Sequence, residues 1–429
     1  MEKISVKIKK LGKIRDSIVD VSQFVLFSGE SGLGKSYLSL ICFYFFNILI
    51  DEERLNKYFL DRGFSFKELI RPLGKDAGSA LVIKKSDLET WMSQDILSYL
   101  RYMLGHDELQ GELEVIFPEI IPEEIEFNYN REFLGVGNDD DIYTILSALG
   151  LSYRFKTVAD NDESPFSYLL RFALTKALFG DFKNLNGRYV FPPSRGFIMS
   201  ERFLGTTGLY QELSKTKEII EKADEIPNPG SNDLRILFNS VLDGDVQRKG
   251  DKYIYQTNDG IEMPISAAAA SVREISLLQQ LIKKRDISKV ALLLEEPESH
   301  LHPLKQRMMA DIMACMVNAG ANLQVTTHSD YLLRRINELM LLDNIKDKYF
   351  HGDKTSEGFV DLCNKVGINP NLTMPCISVC AYLLTKGDDN YVVVEKQKLS
   401  EGIPFSSFRR AINDSLNIEY ILENYPDNE

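Results

Sequence analysis

The sequence predicts an α/β protein in which helices flank a mixed β-sheet. Three observations indicate this class. Residues 24–27 and 290–294 are continuous apolar runs, which are typical of parallel strands buried on both faces. Each run precedes a stretch with helical apolar spacing, at 37–50 and 303–317. Residues 4–8 alternate between apolar and polar, which indicates a half-buried strand near the start. Strands that alternate with helices are typical of layered α/β domains.

The first part of the chain, 1–50, is predicted to supply strands over 3–28 and a helix over 37–50. From 51 to 185 the apolar spacing favours helices, and we expect this block to form a large, mainly helical insertion. No basic residue falls within its acidic run, whose members are Glu112, Glu114, Glu119, Glu123, Glu124 and Glu126. A solvated face is one interpretation of this run, and a docking surface for a basic partner is the other.

The last part, 186–429, is predicted to fold together with 1–50 as one domain around the insertion. It begins with a strand that runs into a constrained loop over 187–196, and Asn258-Asp259-Gly260 is a hairpin signal. Helices are predicted at 208–223, 231–243, 272–284, 303–317, 330–340 and 405–415, and strands at 290–294, 322–327, 377–384 and 391–396.

Composition argues against several protein classes. The net charge of −13 disfavours a surface that coats DNA, which would be basic, although a local basic groove for nucleic acid stays open. Five cysteines do not make a disulfide framework. The start lacks the apolar core of a signal peptide, and the most apolar stretch, 37–50, is too short to span a bilayer. We therefore expect a cytoplasmic protein without a membrane partner.

A glycine-rich loop follows the first apolar run, and its residues are Gly29, Glu30, Ser31, Gly32, Leu33, Gly34, Lys35 and Ser36. We call residues 29–36 the phosphate loop. Glycines at this spacing let backbone N–H groups curl around phosphates, and the N-terminus of the next helix favours the anion. Lys35 is predicted to neutralise the β- and γ-phosphate oxygens, and the Ser36 hydroxyl to ligate Mg²⁺. The loop therefore predicts a site for a nucleoside triphosphate, ATP, with magnesium.

The second apolar run ends in two glutamates, Glu295 and Glu296, which we call the acid pair. Ligands bind at the carboxyl ends of parallel strands. Glu295 is predicted to hold the magnesium shell, and Glu296 to activate water for attack on the γ-phosphate. The alternative is an acidic turn after a core strand. Together the loop and the acid pair predict ATP binding and hydrolysis.

Two segments resemble a known family. One is Glu295-Glu296-Pro297-Glu298-Ser299-His300-Leu301-His302-Pro303, and the other is Thr326-Thr327-His328-Ser329-Asp330-Tyr331-Leu332. The first is similar to the Walker B and D-loop segment of bacterial AAA-type ATPases of the ABC superfamily, the soluble relatives of RecF, SMC and OLD proteins. The second resembles their switch-histidine segment, and we call residues 326–332 the switch segment.

The resemblance covers the first 50 residues and 187–420, and it implies an ABC-type P-loop ATPase domain. It implies that His328 contacts the γ-phosphate and that residues 299–302 line the seam of a homodimer or higher homo-oligomer. His300 and His302 as a metal pair is the less favoured alternative, because the H-E-x-x-H arrangement is absent.

The family's signature loop, which caps the ATP of the opposite subunit, corresponds to residues 266–274. Here the signature glycine is missing. Ser271 with Glu274 predicts a capping box that starts a helix, so that Ser271 and Arg273 would face the partner's ATP. A plain N-cap and an exposed helix arginine are the alternatives. By the resemblance, the absence of this glycine implies slow turnover of ATP. By the same resemblance, Arg195 would lie near the nucleotide.

Three functions compete. The first is an ATPase sensor or scaffold that controls a separate effector, a nuclease or toxin, as in bacterial anti-phage systems. The second is a RecF-like DNA-repair or recombination ATPase, and the third is the nucleotide subunit of a membrane transporter. The acidic charge and the insertion favour the first. We expect no Toprim nuclease domain, because the tail offers only Asp388-Asp389, which reads as a hairpin turn.

Overall fold

The computed structural model describes residues 3–64, 77–134, 141–156, 165–179, 185, 187–200, 205–225, 231–405 and 407–423. They fall into two compact units. The first unit comprises Met1–Ser22, Leu40–Arg188 and Lys289–Ala291, and the second comprises Gln23–Ser39, Tyr189–Ser288 and Leu292–Glu429.

The strands, in chain order, are β1 (Ser5–Leu11), β2 (Ile14–Asp20), β3 (Phe24–Gly29), β4 (Ala77–Lys84), β5 (Gly111–Ile116), β6 (Glu124–Leu134), β7 (Asp141–Ala148), β8 (Leu151–Lys156), β9 (Gly187–Phe191), β10 (Gly244–Lys249), β11 (Lys252–Thr257), β12 (Glu262–Pro264), β13 (Val290–Glu295), β14 (Asn322–Thr327), β15 (Val379–Lys386) and β16 (Val392–Lys396).

The α-helices of the described residues are α1 (Lys35–Ile50), α2 (Glu52–Leu60), α3 (Lys85–Leu104), α4 (Pro165–Phe179), α5 (Gly208–Lys222), α6 (Ser231–Leu242), α7 (Ala270–Lys284), α8 (Pro303–Ala319), α9 (Asp330–Tyr349), α10 (Glu357–Val366) and α11 (Ser407–Glu423). None of the helices in this part of the chain combines the length and apolar character that crossing a membrane requires.

Six strands that belong wholly or mostly to the second unit lie side by side in the order β16-β15-β3-β14-β13-β9. Strand β3 pairs in parallel with both β14 and β15, so that Phe24 lies beside Leu323 on one side and Val379 on the other. Every residue of β13 and β14 is buried, as the continuous apolar run over 290–294 predicted. The predicted α/β class is confirmed, and the parallel strands place their carboxyl ends along one edge.

Two hairpins of the second unit also agree with the sequence. Asn258-Asp259-Gly260 joins the antiparallel strands β11 and β12, and Gly260 has a φ of +89°. This left-handed conformation is easily adopted by glycine. Residues 388–390 join β15 to β16, which are also antiparallel. The Asp388-Asp389 turn is therefore a hairpin connection, as predicted.

The first unit corrects the prediction that 51–185 is mainly helical. This block contains the antiparallel sheet β4-β6-β7-β8 as well as α2, α3 and α4. In β6, buried Ile125 and Phe127 alternate with exposed Glu124 and Glu126, which is the period of a half-buried strand. The prediction of a helix is therefore wrong for this segment, because its apolar residues have the period of a strand. The block also shares its unit with residues 1–22 and 40–50.

The acidic run lies partly on β5, which pairs with β1 in the order β5-β1-β2. In this register Glu114 lies opposite Lys7 and Glu112 lies opposite Lys10. Lys9 also approaches Glu114, with 3.8 Å between its Nζ and Oε2. The lysines come from a strand that is distant in sequence. This pairing favours a solvated, charge-paired strand face over a docking surface for this part of the run.

Candidate functional site

The phosphate loop joins β3 to α1 within the second unit. Gly29, Gly32 and Gly34 have φ values of +132°, +76° and +93°, which side chains with a Cβ rarely adopt. At Gly29 a Cβ would also lie 2.3 Å from the carbonyl oxygen of Leu384. The loop exposes Glu30, Ser31 and Gly32 and buries Leu33. The glycine spacing is thus required by the backbone shape of the loop.

Lys35 folds back onto the phosphate loop. Its Nζ donates to the carbonyl oxygens of Gly29, at 3.0 Å, and Glu30, at 2.8 Å. Burial lowers the pKa of Lys35 to about 8, and the carboxylates of Glu296, Glu298 and Glu295 oppose this shift. The ammonium is therefore charged at neutral pH, surrounded by acceptors and located at the mouth of the loop.

Glu295 lies against the first turn of α1, although the two are distant in sequence. The Ser36 hydroxyl forms a hydrogen bond with its carboxylate. Burial raises the pKa of Glu295 to about 6, and the hydrogen bond from Ser36 acts in the other direction. Its Oε1 is buried and has no hydrogen-bond partner among the described residues. A hydroxyl and a carboxylate with a spare oxygen fit the oxygen ligands that Mg²⁺ prefers.

Glu296 adopts a left-handed backbone conformation, with a φ of +45°. Its N–H donates to the carbonyl oxygen of Thr326 at 3.0 Å, which ties it to the end of β14. Its side chain is partly exposed; Oε1 lies 3.5 Å from Nε2 of His328, and Oε2 accepts a hydrogen bond from Ser299 at 3.3 Å. An uncommon φ in a non-glycine residue often marks a functional position. The carboxylate faces the solvent side of the site.

His328 follows β14 and is partly exposed. Burial lowers its pKa, the positive charge of Lys35 lowers it further, and Glu296 raises it. The imidazole is therefore neutral at pH 7, with one nitrogen as donor and the other as acceptor. The structure brings His328, Lys35 and the acid pair together, which confirms the predicted convergence of the two motifs.

Glu298 is a site residue to which the sequence assigned no role. It is buried, and its negative charge acts to raise the pKa of Lys35. Its Oε1 accepts hydrogen bonds from the Thr327 hydroxyl and the His328 N–H. Its place in the Glu-Glu-Pro-Glu quartet is the one sequence signal that could have indicated it. The contact with the switch segment depends on the fold.

Residues 266–274, which correspond to the family's signature loop, differ from the predicted structure. Helix α7 begins at Ala270, and its N-cap is Ala269, whose methyl group cannot accept a hydrogen bond. The predicted capping box at Ser271 is wrong, because Glu274 is used elsewhere: its Oε2 accepts from the backbone N–H of Arg195 at 2.9 Å. Ser271 and Arg273 lie half-buried in the first turn of α7. Their contact with a partner's ATP stays a prediction.

Arg195 is buried and contacts backbone rather than solvent. Its guanidinium donates to the carbonyl oxygens of Glu274 and Glu295, both at 2.9 Å, and of Pro192 at 3.0 Å. Burial lowers its pKa, and the Glu274 carboxylate opposes that shift. The side chain braces the backbone of the acid pair, and its predicted position near the nucleotide stays a prediction.

The two histidines of the D-loop segment differ in their surroundings. His302 is the N-cap of α8, and its Nδ1 accepts from the N–H of Leu304 at 3.4 Å. His300 is exposed and has a φ of +62°. The described residues contain no group of three or more His, Cys, Asp or Glu with metal-binding geometry.

Residues 205–333 match the AAA ATPase domain family. This stretch contains α7, the acid pair and His328. This stretch of the chain therefore resembles an AAA-type ATPase domain. The AAA-type ATPase resemblance inferred from the two segments is thereby confirmed, and the strands and helices described above have the expected mixed α/β arrangement. No curated protein matches the sequence.

Three SMC heads are among the solved structures that match this chain. The SMC head domain from Thermotoga maritima has 10% identity and a TM-score of 0.32, with 93% of this chain and 100% of that chain covered. A SmcHead bound to the C-winged helix domain of ScpA has 12% identity and a TM-score of 0.37, with 93% and 98% covered. An Smc head domain with an extended coiled coil, bound to the C-terminal domain of ScpA derived from Pyrococcus furiosus, has 10% identity and a TM-score of 0.33, with 97% and 99% covered.

Proposed function

We propose that this ATPase binds Mg·ATP at the phosphate loop, hydrolyses it slowly, and uses the ATP-bound state to control a separate effector. The single observation that supports the chemistry is the cluster of Lys35, Ser36, Glu295, Glu296 and His328 at one end of the buried strands. These groups supply an anion site, a cation site, a base and a hydrogen-bond donor. Phosphoryl transfer to water needs each of them.

Each residue has a role that follows from its surroundings. Lys35 exchanges its bonds to the loop carbonyls for phosphate oxygens, and Ser36 and Glu295 would hold the magnesium ion. The bound ion supplies neutralisation of phosphate charge. Glu296, on the open side of the site, accepts a proton from the attacking water. Neutral His328 donates a hydrogen bond to the γ-phosphate. Because His328 lies beside Glu296, both side chains act near the oxygen atoms of the γ-phosphate and of the attacking water.

The functional state is proposed to be a homodimer or a higher homo-oligomer. Ser271 and Arg273 lie at the start of α7, and in this account they complete the ATP site of a second copy. Light scattering of Glu296→Gln, which retains ATP, tests this. We expect a monomer without nucleotide and a dimer with Mg·ATP, and a weaker dimer for Glu296→Gln combined with Arg273→Ala. A mass that does not change with ATP would contradict the proposal.

We further propose that the effector is a nuclease or toxin on another chain, in a cytoplasmic bacterial anti-phage system. The acidic charge of −13 and an insertion that contains a β-sheet rather than a coiled-coil arm in its described part support this. Co-expression with the adjacent gene product tests it. We expect ATP to change the activity of that product and Lys35→Ala to abolish the effect. A RecF-like role in DNA repair is the alternative, and hydrolysis stimulated by DNA would favour it.

A further inference from the structure

One buried carboxylate connects the turn that carries the proposed base to the segment that carries His328. Glu298 lies two residues after Glu296, and 6% of its surface is exposed. Its Oε1 accepts from the Thr327 hydroxyl at 2.5 Å and from the His328 N–H at 2.8 Å. Hydrogen bonds to a carboxylate are stronger than neutral ones. The backbone position of His328 is therefore set by a side chain from the other segment.

The same network extends along the switch segment. The Ser329 N–H donates to the Thr327 hydroxyl oxygen at 3.0 Å, so that Glu298 orders three consecutive residues. The Glu298 carbonyl oxygen accepts from the N–H of Leu301 at 3.0 Å, which fixes the turn from which the carboxylate projects. Both ends of the connection are therefore held by hydrogen bonds.

Gln306 of α8 forms a second connection between the same two segments. Its Nε2 donates to the Leu301 carbonyl oxygen at 2.9 Å, and its Oε1 accepts from the Ser329 hydroxyl. The Ser329 oxygen in turn caps α9 by accepting from the Leu332 N–H at 3.0 Å. The turn after β13 and the switch segment are thus joined on both sides of His328.

We infer that Glu298 is a positioning residue, which holds His328 in register with Glu296. The inference rests on the proposed function of His328. The two reacting side chains are 3.5 Å apart, Nε2 to Oε1, and they follow different strands, β13 and β14. A misplacement of about 1 Å in such a pair can reduce turnover about 100-fold. Glu298 does not itself contact the reacting atoms in this account.

A double-mutant cycle in steady-state ATP hydrolysis separates positioning from mere stability. We expect Glu298→Ala to lower kcat about 10- to 100-fold, with the Kd for ATP within about threefold of the parent value. Glu298→Gln keeps the accepting oxygen and should restore kcat to within about threefold. If Glu298 acts through His328, Glu298→Ala combined with His328→Ala is no slower than His328→Ala alone, within about twofold.

Two further variants keep the test decisive. Asp311→Asn changes another buried acid, bonded to Arg335 in α9, and should leave kcat unchanged while lowering stability. If Glu298→Ala does not fold, Thr327→Val takes its place, since it removes the hydroxyl between Glu298 and Ser329. If the kcat losses of Glu298→Ala and His328→Ala multiply in the double variant, the inference is overturned. A full kcat in His328→Ala alone would instead overturn the proposed role of His328.

Discussion

The hydroxyl of Ser36 and the carboxylate of Glu295 share a hydrogen bond, although one follows β3 near the start of the chain and the other ends β13. This contact places the two residues proposed to bind magnesium, one from each motif, at one point. Burial raises the pKa of Glu295 to about 6, and the charge of Glu296 adds to this shift, although the Ser36 hydrogen bond and the charges of Arg195 and Lys35 oppose it. A divalent ion is the species that would compensate for the buried charge.

The first prediction concerns pH. Only ionised Glu295 can ligate Mg²⁺, so that protons compete with the ion below pH about 6. We expect the Mg²⁺-dependent affinity for ATP to fall by up to about tenfold per pH unit from pH 6 to pH 5. A phosphate ester also titrates near pH 6, so Glu295→Gln serves as the control. The ATP affinity of this variant should keep only the pH dependence that comes from the phosphate groups of ATP. Equal slopes for the two proteins in calorimetry would contradict the assignment.

The second prediction concerns the base. Glu296→Gln keeps the shape of the side chain but cannot accept a proton. We expect ATP to bind with about the same affinity and kcat to fall about 10²- to 10⁴-fold, the usual range for loss of a general base. Phosphate release measured beside ATP binding separates the two steps. Ser299→Ala, which removes a hydrogen bond to the same carboxylate, should reduce kcat only a few-fold. Unchanged turnover of Glu296→Gln would show that another group is the base.

The third prediction concerns stability. Arg195 is buried and bonded to three backbone carbonyls and to Glu274. Arg195→Ala should destabilise the protein by about 3–5 kcal/mol, because it leaves Glu274 buried without its cation. Arg307, which pairs with Glu338 near the surface, is the matched control, and its replacement by alanine should cost about 1 kcal/mol or less. Urea unfolding compares the two. Similar midpoints for both variants would contradict the bracing role.

Much of the second unit could be predicted from the sequence, because its signals are local. The continuous apolar runs predicted β3 and β13, and Asn258-Asp259-Gly260 predicted its hairpin. The phosphate loop and the acid pair were recognisable because their chemistry restricts which residues can serve. Their convergence followed from the rule that ligands lie at the carboxyl ends of parallel strands.

The errors came from competition between local and tertiary interactions. In the block over 51–185, Ile125 and Phe127 fit a strand, but neighbouring apolar residues suggested a helix. At the start of α7, Ser271 and Glu274 have the spacing of a capping box, yet Glu274 bonds to Arg195 from another element. Glu298 was missed as a functional residue because its partners, Thr327 and His328, are remote in sequence.

The central claim is that the phosphate loop and the acid pair form one Mg·ATP site. Calorimetric titration of ATP, with Mg²⁺ and with a chelator, into the parent protein, Lys35→Ala and Glu295→Gln tests it most directly. We predict that Lys35→Ala loses binding in both conditions, whereas Glu295→Gln loses only the gain in affinity that Mg²⁺ gives the parent. A parent protein that does not bind ATP, or a Glu295→Gln variant with the full Mg²⁺ effect, would contradict the claim.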